Sequence, residues 1–164
     1  PNISRWGISP NFSEIPNRDK PFMRYAETRV GKAVKVEGRE ITPLPANHTV
    51  PAVGYRIDSG EGSLVFSGDT SVCDELWKAV NKVRNLRYLI IETAFSNRER
   101  QLAIASKHLC PDMLKGELLK LQREAEIYIT HLKPGQIELT MQEIEEFIGE
   151  YKPRMLQNNQ VFDL

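Results

Sequence analysis

The chain has 164 residues, of which 40% are hydrophobic and 27% charged, a composition typical of one globular domain with a buried core. Its 22 basic and 22 acidic residues cancel, so the overall charge gives no reason to expect a nucleic-acid-binding or membrane-binding surface. The two cysteines are far apart, which argues against a disulfide framework, and no apolar run is long enough to span a bilayer, so we expect a cytoplasmic location.

The first third of the chain predicts a loop followed by β-structure. Residues 1–23 are rich in Pro, Asn and Ser and show no hydrophobic period, which predicts a loop lying on the core. Residues 25–37 alternate well enough to predict a strand, and residues 41–46 predict a short strand at a sheet edge because they contain two prolines. Residues 52–67 predict a hairpin whose turn, at 58–62, contains two glycines.

From residue 63 onward, strands and helices alternate, which predicts an α/β layered domain. Leu102 and Ala105 are expected to face inward from their helix, and Thr140, followed by Glu143, has the spacing of a helix-capping box. After the hairpin, the sequence predicts a helix over 72–83, a strand over 89–91, helices over 98–107 and from Pro111, a strand over 127–130, a helix at Thr140 and a strand at 161–162.

Three residues of metal-ligand type follow predicted strands. His48, Asp69 and His131 each come directly after a strand, and ligands in layered α/β domains bind beyond the carboxyl ends of strands. Two imidazoles and a carboxylate suit zinc, manganese or iron and leave coordination positions for water and substrate. The spacing therefore predicts a metal site at one edge of the sheet.

Each of these residues, and the remaining histidine, also has a purely structural interpretation. His48 precedes Thr49 and a proline and could be a turn residue bonded to backbone, and Asp69 could cap the following helix. His131 could be an exposed strand end. His108 could be a solvated residue placed to suit the dipole at the end of a helix.

Five motifs, in order, resemble the second half of a metallo-β-lactamase-fold phosphodiesterase. The resemblance is to bacterial class II cyclic-nucleotide phosphodiesterases and to ribonuclease Z. The motifs are residues 48–56 (HTVPAVGYR), 66–70 (FSGDT), 91–95 (IETAF), 107–111 (KHLCP) and 128–134 (YITHLKP).

The resemblance implies a four-layer αββα sandwich, of which residues 1–164 form a half or partial version as a single domain, the C-terminal portion of the hydrolase. It implies two divalent metals, zinc first and manganese or iron as alternatives. His48 and His131 would be ligands, Asp69 the bridging and catalytic carboxylate, and His108 a catalytic residue beside the leaving oxygen. Glu92 would orient a histidine from outside the ligand set.

This chain departs from the family pattern in one large respect. The family's other ligands come from a His-x-His-x-Asp-His signature, and nothing among the three histidines here matches it. The chain alone would then bind one metal or none. We favour a piece of a longer protein; a protein that has lost catalysis and a partner chain supplying the other half remain alternatives, and an exposed sheet edge makes a homo-oligomer plausible.

Three functions follow. The first is metal-dependent hydrolysis of a cyclic nucleotide or similar small phosphodiester by the intact protein. The second is an RNA-processing nuclease of the ribonuclease Z type. The hairpin between His48 and Asp69 weighs against it, because it is short and carries no run of basic residues with which to grip RNA. The third is a non-catalytic fragment or interaction module. A membrane partner is not expected, and a nucleic-acid partner is expected only under the second function.

Overall fold

The strands lie in one seven-stranded mixed sheet, seen in a computed structural model that describes residues 11–164. They follow one another across the sheet in chain order. Strands β1 to β4 are antiparallel neighbours, and β4 to β7 are parallel. The strands are β1 (Val34–Val36), β2 (Arg39–Pro45), β3 (Val53–Asp58), β4 (Ser63–Phe66), β5 (Leu86–Glu92), β6 (Glu126–Thr130) and β7 (Arg154–Met155).

Helices connect the parallel strands, as the alternating sequence predicts. Two short 3₁₀ helices, at Asn97–Glu99 and Gly149–Tyr151, flank α2 and α4. No helix among residues 11–164 combines the length and the hydropathy needed to cross a bilayer. The helices are α1 (Asp74–Val80), α2 (Arg100–Ser106), α3 (Pro111–Leu118) and α4 (Ile137–Ile148).

The main core lies between one face of the sheet and helices α1, α3 and α4. Successive residues of a strand point to opposite faces, so Leu89 and Ile91 reach this core while Ile90 between them does not. Ile90 belongs to a smaller cluster on the opposite face, where the ring of Phe162 packs 4.9 Å from that of Tyr88 and 5.0 Å from that of Tyr128.

The direction of the strands places four chain segments at one edge of the sheet. β2 and β4 are both antiparallel to β3, so they run the same way, and β5 and β6 run parallel to β4. The carboxyl ends of all four strands therefore lie at the same edge. This edge is where the sequence places its residues of metal-ligand type.

Several predicted elements differ from the structure. The strand predicted over 25–37 is confined to β1, and the predicted loop over 1–23 is free of helix and strand at 11–23, while residues 1–10 lie outside the described residues. β2 has neighbours on both sides, but β1 pairs only with the first three residues of β2. The prolines of β2, at 43 and 45, lie beyond that pairing, so this part of β2 is an edge of the sheet, where a proline is tolerated.

Two predictions, the inward face of α2 and a final strand at 161–162, were wrong because short elements show little hydrophobic periodicity. In the two-turn helix α2, Ala103 is the buried residue, while Leu102 and Ala105 are exposed. The predicted final strand at 161–162 is absent from the described sheet, and Phe162 packs on the sheet face without pairing.

Thr140 does not cap α4. The turn at Pro134 and Gly135 lets the helix begin at Ile137, so Thr140 lies inside it and its N–H donates to the carbonyl of Gln136 at 2.9 Å. Its hydroxyl is buried and, within the described residues, has no hydrogen-bond partner. A buried hydroxyl without a partner loses its hydration with nothing in return.

Replacing Thr140 with valine should therefore stabilise the protein by about 1 kcal/mol, since the two side chains have similar shape and helix propensity and only the unsatisfied hydroxyl is lost. Urea denaturation measures the change in the free energy of unfolding. Thr140→Ser is the matched control, which keeps the hydroxyl, loses the methyl group and should destabilise. A Thr140→Val protein less stable than the parent would mean that the hydroxyl has a partner after all.

Candidate metal centre

Five titratable side chains gather at the carboxyl edge of the sheet. His48 follows β2, Asp69 follows β4 and His131 follows β6, while Glu92 is the last residue of β5. The fifth, His108, comes from the segment between α2 and α3. Residues far apart in the sequence thus meet where the strand directions coincide.

Asp69 and His131 make direct contact across this edge. The Nδ1 atom of His131 lies 2.8 Å from Oδ1 of Asp69, and both side chains are partly exposed. His131 has a φ of +64°, a left-handed conformation that costs a non-glycine residue about 1 kcal/mol or more. Such conformations persist where surrounding structure enforces them and cluster at functional sites.

Gly68 allows Asp69 to leave β4 in the required direction. It has a φ of +63°, and a Cβ atom there would lie 2.6 Å from the carbonyl oxygen of Val53. No side chain fits at that distance, so the close approach of this turn to β3 requires glycine. The interpretation of Asp69 as a helix cap is wrong, because α1 begins at Asp74 and is preceded by Cys73.

The loop after β2 is attached to the same turn. The N–H of Asn47 donates to Oγ1 of Thr70 at 2.9 Å, and its carbonyl accepts from the N–H of Ser71 at 2.9 Å. Beside it, Nδ1 of His48 lies 3.1 Å from the carbonyl oxygen of Lys107. Because a carbonyl can only accept, Nδ1 carries the proton and Nε2 keeps a free lone pair.

The end of α2 delivers His108 to the site. Lys107 takes a left-handed conformation, with a φ of +56°. The N–H of His108 donates back to the carbonyl of Ala103 at 2.9 Å, and that of Lys107 donates to Ile104 at 3.2 Å. These two bonds form a Schellman motif, which ends the helix and turns the chain inward. His108 is consequently buried, so its interpretation as a solvated helix end is wrong.

Glu92 is fully buried and its carboxylate binds four groups. Oε1 accepts from the N–H of Thr70 at 3.0 Å and lies 2.8 Å from Nδ1 of His108. Oε2 accepts from the N–H groups of Ala94 at 3.1 Å and Leu109 at 3.4 Å. One side chain therefore ties together the loops that follow β4, β5 and α2.

The three histidine rings are adjacent, with His108 in the middle. Its ring centroid lies 4.8 Å from that of His48 and 4.9 Å from that of His131. Burial lowers the pKa of His108, and His48 and Lys133 lower it further against the raising effect of Asp69, so the net shift favours the neutral ring. Burial also raises the pKa of Glu92 to about 7, although the hydrogen bonds that its carboxylate accepts from backbone N–H groups lower the pKa.

The donor set fits a divalent metal. Glu92, His108 and His131 present ligand atoms that all lie within 4.8 Å of one another. The Glu92 oxygens already accept three backbone N–H groups, which suits Glu92 better to orienting His108 than to coordinating an ion. Asp69, in contact with His131, is the more accessible carboxylate.

A family model described as the beta-lactamase superfamily domain matches residues 2–150. The chain belongs to this family. Solved structures also resemble it. The metallo-beta-lactamase fold protein YhfI from Bacillus subtilis is 18% identical with a TM-score of 0.66, and the match covers 83% of this chain and 54% of YhfI. Yeast PDE1 is 16% identical with a TM-score of 0.63, and the match covers 79% of this chain and 47% of PDE1. The short form of human tRNase Z matches with a lower TM-score of 0.50; it is 20% identical, and the match covers 63% of this chain and 39% of tRNase Z. No curated protein sequence matches the chain.

These similarities confirm the predicted family and the α/β metallo-β-lactamase fold. The chain spans about half the length of YhfI and of PDE1. The structure brings together all four predicted site residues, His48, Asp69, His108 and His131, and leaves their roles as predictions. Sequence reasoning missed the hydrogen bond from the N–H of Thr70 to Glu92 and the effect of the Lys133 charge on His108. The position of Lys133, two residues after His131, was a usable signal for the second.

Replacing Glu92 with alanine should destabilise the protein by about 2–4 kcal/mol, because three buried backbone N–H groups lose their acceptor. Urea denaturation followed by circular dichroism measures the change in the free energy of unfolding. Glu75→Ala, which removes an exposed carboxylate on α1, is the control and should change that free energy by less than about 0.5 kcal/mol. Equal stability of the two variants would show that Glu92 does not hold the loops together.

Proposed function

We propose that the protein containing this chain is a divalent-metal-dependent hydrolase of small phosphodiesters, such as cyclic nucleotides. The observation that supports this most is the meeting of three histidines and Asp69 at the carboxyl edge of the sheet. Zinc is the metal that we favour for imidazole and carboxylate ligands, with manganese and iron as alternatives.

In this proposal, His48, Asp69 and His131 hold metal. Nε2 of His48 has the free lone pair that coordination requires, since Nδ1 donates to Lys107. Bound metal would supply a hydroxide nucleophile at neutral pH and polarise the phosphoryl oxygens. Because all three histidines of the chain are already at this edge, further ligands for a second metal would come from outside these residues, from another segment or a partner chain.

His108 acts beside the metal ligands. Glu92 holds its Nδ1 atom at 2.8 Å, which fixes the ring and leaves Nε2 as the atom available to substrate. We assign to Nε2 of the protonated ring the donation of a proton to the leaving oxygen as its bond to phosphorus breaks, after which the ring takes up a proton from water. Glu92 is a positioning residue in this scheme, because it acts only through His108.

The substrate class is supported by the named relatives and by the shape of the hairpin. Yeast PDE1 and human tRNase Z share the fold. Between β3 and β4 the chain turns within residues 59–62, and this turn has no basic residue with which to grip RNA. A small phosphodiester therefore fits this chain better than an RNA.

The test is hydrolysis of bis(p-nitrophenyl) phosphate and of a cyclic nucleotide by the full-length gene product, with zinc or manganese added. Asp69→Ala and His131→Ala should each lower kcat/KM by more than about 100-fold, beyond what changes to outer-shell groups usually cost. Asp74→Ala, the same substitution at an exposed position on α1, should leave kcat/KM unchanged.

Metal analysis of the same proteins provides a second readout, since the Asp69 and His131 variants should retain less metal than the parent. Full activity of the Asp69→Ala protein would contradict the proposal, as would a metal-loaded parent that hydrolyses neither substrate. RNA binding that weakens steeply with salt would instead favour an RNA-processing nuclease.

A further inference from the structure

Lys133 is fixed in position beside the histidine cluster. It lies two residues after His131, and its backbone N–H donates to the carbonyl of Ala94 at 3.2 Å, which joins the loop after β6 to the loop after β5. Its Nζ atom lies 5.4 Å from the ring centroid of Phe95. An ammonium group at this distance from an aromatic face is attracted by the ring and partly removed from water.

The Phe95 ring connects this charge to the site. Phe95 is buried, and its ring centroid lies 5.8 Å from that of His108 in an edge-on arrangement. Lys133 and His108 therefore pack against the same ring. The ammonium is also near enough to His108 for its charge to lower the pKa of the imidazole that we place beside the leaving oxygen.

Lys133 also lacks a counterion of the kind that Lys78 and Lys120 have. Lys78 pairs with Glu75 at 2.6 Å, and Lys120 pairs with Asp74 at 2.6 Å. Within residues 11–164, no carboxylate pairs with Lys133. A positive charge held over an aromatic ring and left without a counterion is suited to binding an anion.

The neighbouring lysine does not have this freedom. Nζ of Lys107 donates to Oδ1 of Asn47 at 3.1 Å and lies 3.5 Å from the carbonyl oxygen of His48. These contacts hold the loop after β2 against the end of α2. Lys107 therefore serves the architecture of the site, and Lys133 is the cation left for a ligand.

We propose that Lys133 is a substrate-binding residue that contacts a charged oxygen of the phosphodiester. This inference rests on the proposed function and extends it, because it names the group that recognises the negative charge of the substrate. Lys133 then contributes to substrate binding more than to the chemical step, so its loss should act on KM more than on kcat.

The test compares Lys133→Met with Lys115→Met in the full-length protein. Lys115 is a matched control, because its Nζ lies 6.0 Å from the ring of Phe147 on the helical layer, so the same substitution removes the same kind of ring contact elsewhere. Lys133→Met should raise KM for bis(p-nitrophenyl) phosphate roughly 10- to 100-fold, the usual range for one charge-assisted hydrogen bond. kcat should stay within about threefold.

Inorganic phosphate provides a measurement that does not depend on hydrolysis. Its dissociation constant, from isothermal titration calorimetry on the metal-loaded protein, should rise by a similar factor in Lys133→Met and stay unchanged in Lys115→Met. Lys133→Arg keeps the charge and should recover most of the phosphate affinity. That recovery would not occur if Lys133 merely supported the fold.

The outcomes separate the two proposals. A protein that hydrolyses no phosphodiester but binds phosphate less tightly after Lys133→Met would refute the proposed function and support the role of Lys133. A protein that hydrolyses phosphodiesters, with KM and phosphate affinity the same in the Lys133→Met and Lys115→Met variants, would support the function and overturn the role of Lys133.

Discussion

The hydrogen bonds accepted by the buried Glu92 carboxylate hold the candidate site together. Glu92 ends strand β5, and its oxygens accept from Thr70, Ala94 and Leu109 while facing the ring of His108. Each bonded group belongs to a different loop or lies beside a different site residue. Burying a carboxyl group is unfavourable unless its oxygens are bonded, so the same contacts stabilise Glu92 and position its neighbours.

The direction of the strands makes this arrangement possible. β2, β4, β5 and β6 all end at one edge, so loops from distant parts of the chain approach one another there. Left-handed residues then turn two of these segments into the site: Lys107 before His108, and His131 itself. The site is thus built on backbone geometry that packing of the sheet and helices must maintain, and such geometry favours a preorganised set of ligands.

The two faces of the sheet serve different purposes. Helices cover one face and form the main core, whereas the other carries a small apolar cluster against which Phe162 and Leu164 pack. The chain spans about half the length of YhfI and PDE1, and its three histidines are all at the candidate site. Our proposal therefore treats the chain as one side of a metal centre, with the charge-bearing residues of that side, Asp69 and Lys133, available to metal and substrate respectively.

The sequence alone determined the alternation of strands and helices after residue 63 and the positions of His48, Asp69 and His131 at strand ends, because both depend on local patterns. The motifs around these residues were specific enough to identify the family. Only the tertiary structure decided that Glu92 joins three loops, that Lys133 shares a ring with His108, and that Thr140 lies inside its helix. The first two depend on contacts between residues 13 to 38 positions apart, which no local period encodes, and the third depends on a turn that starts the helix early.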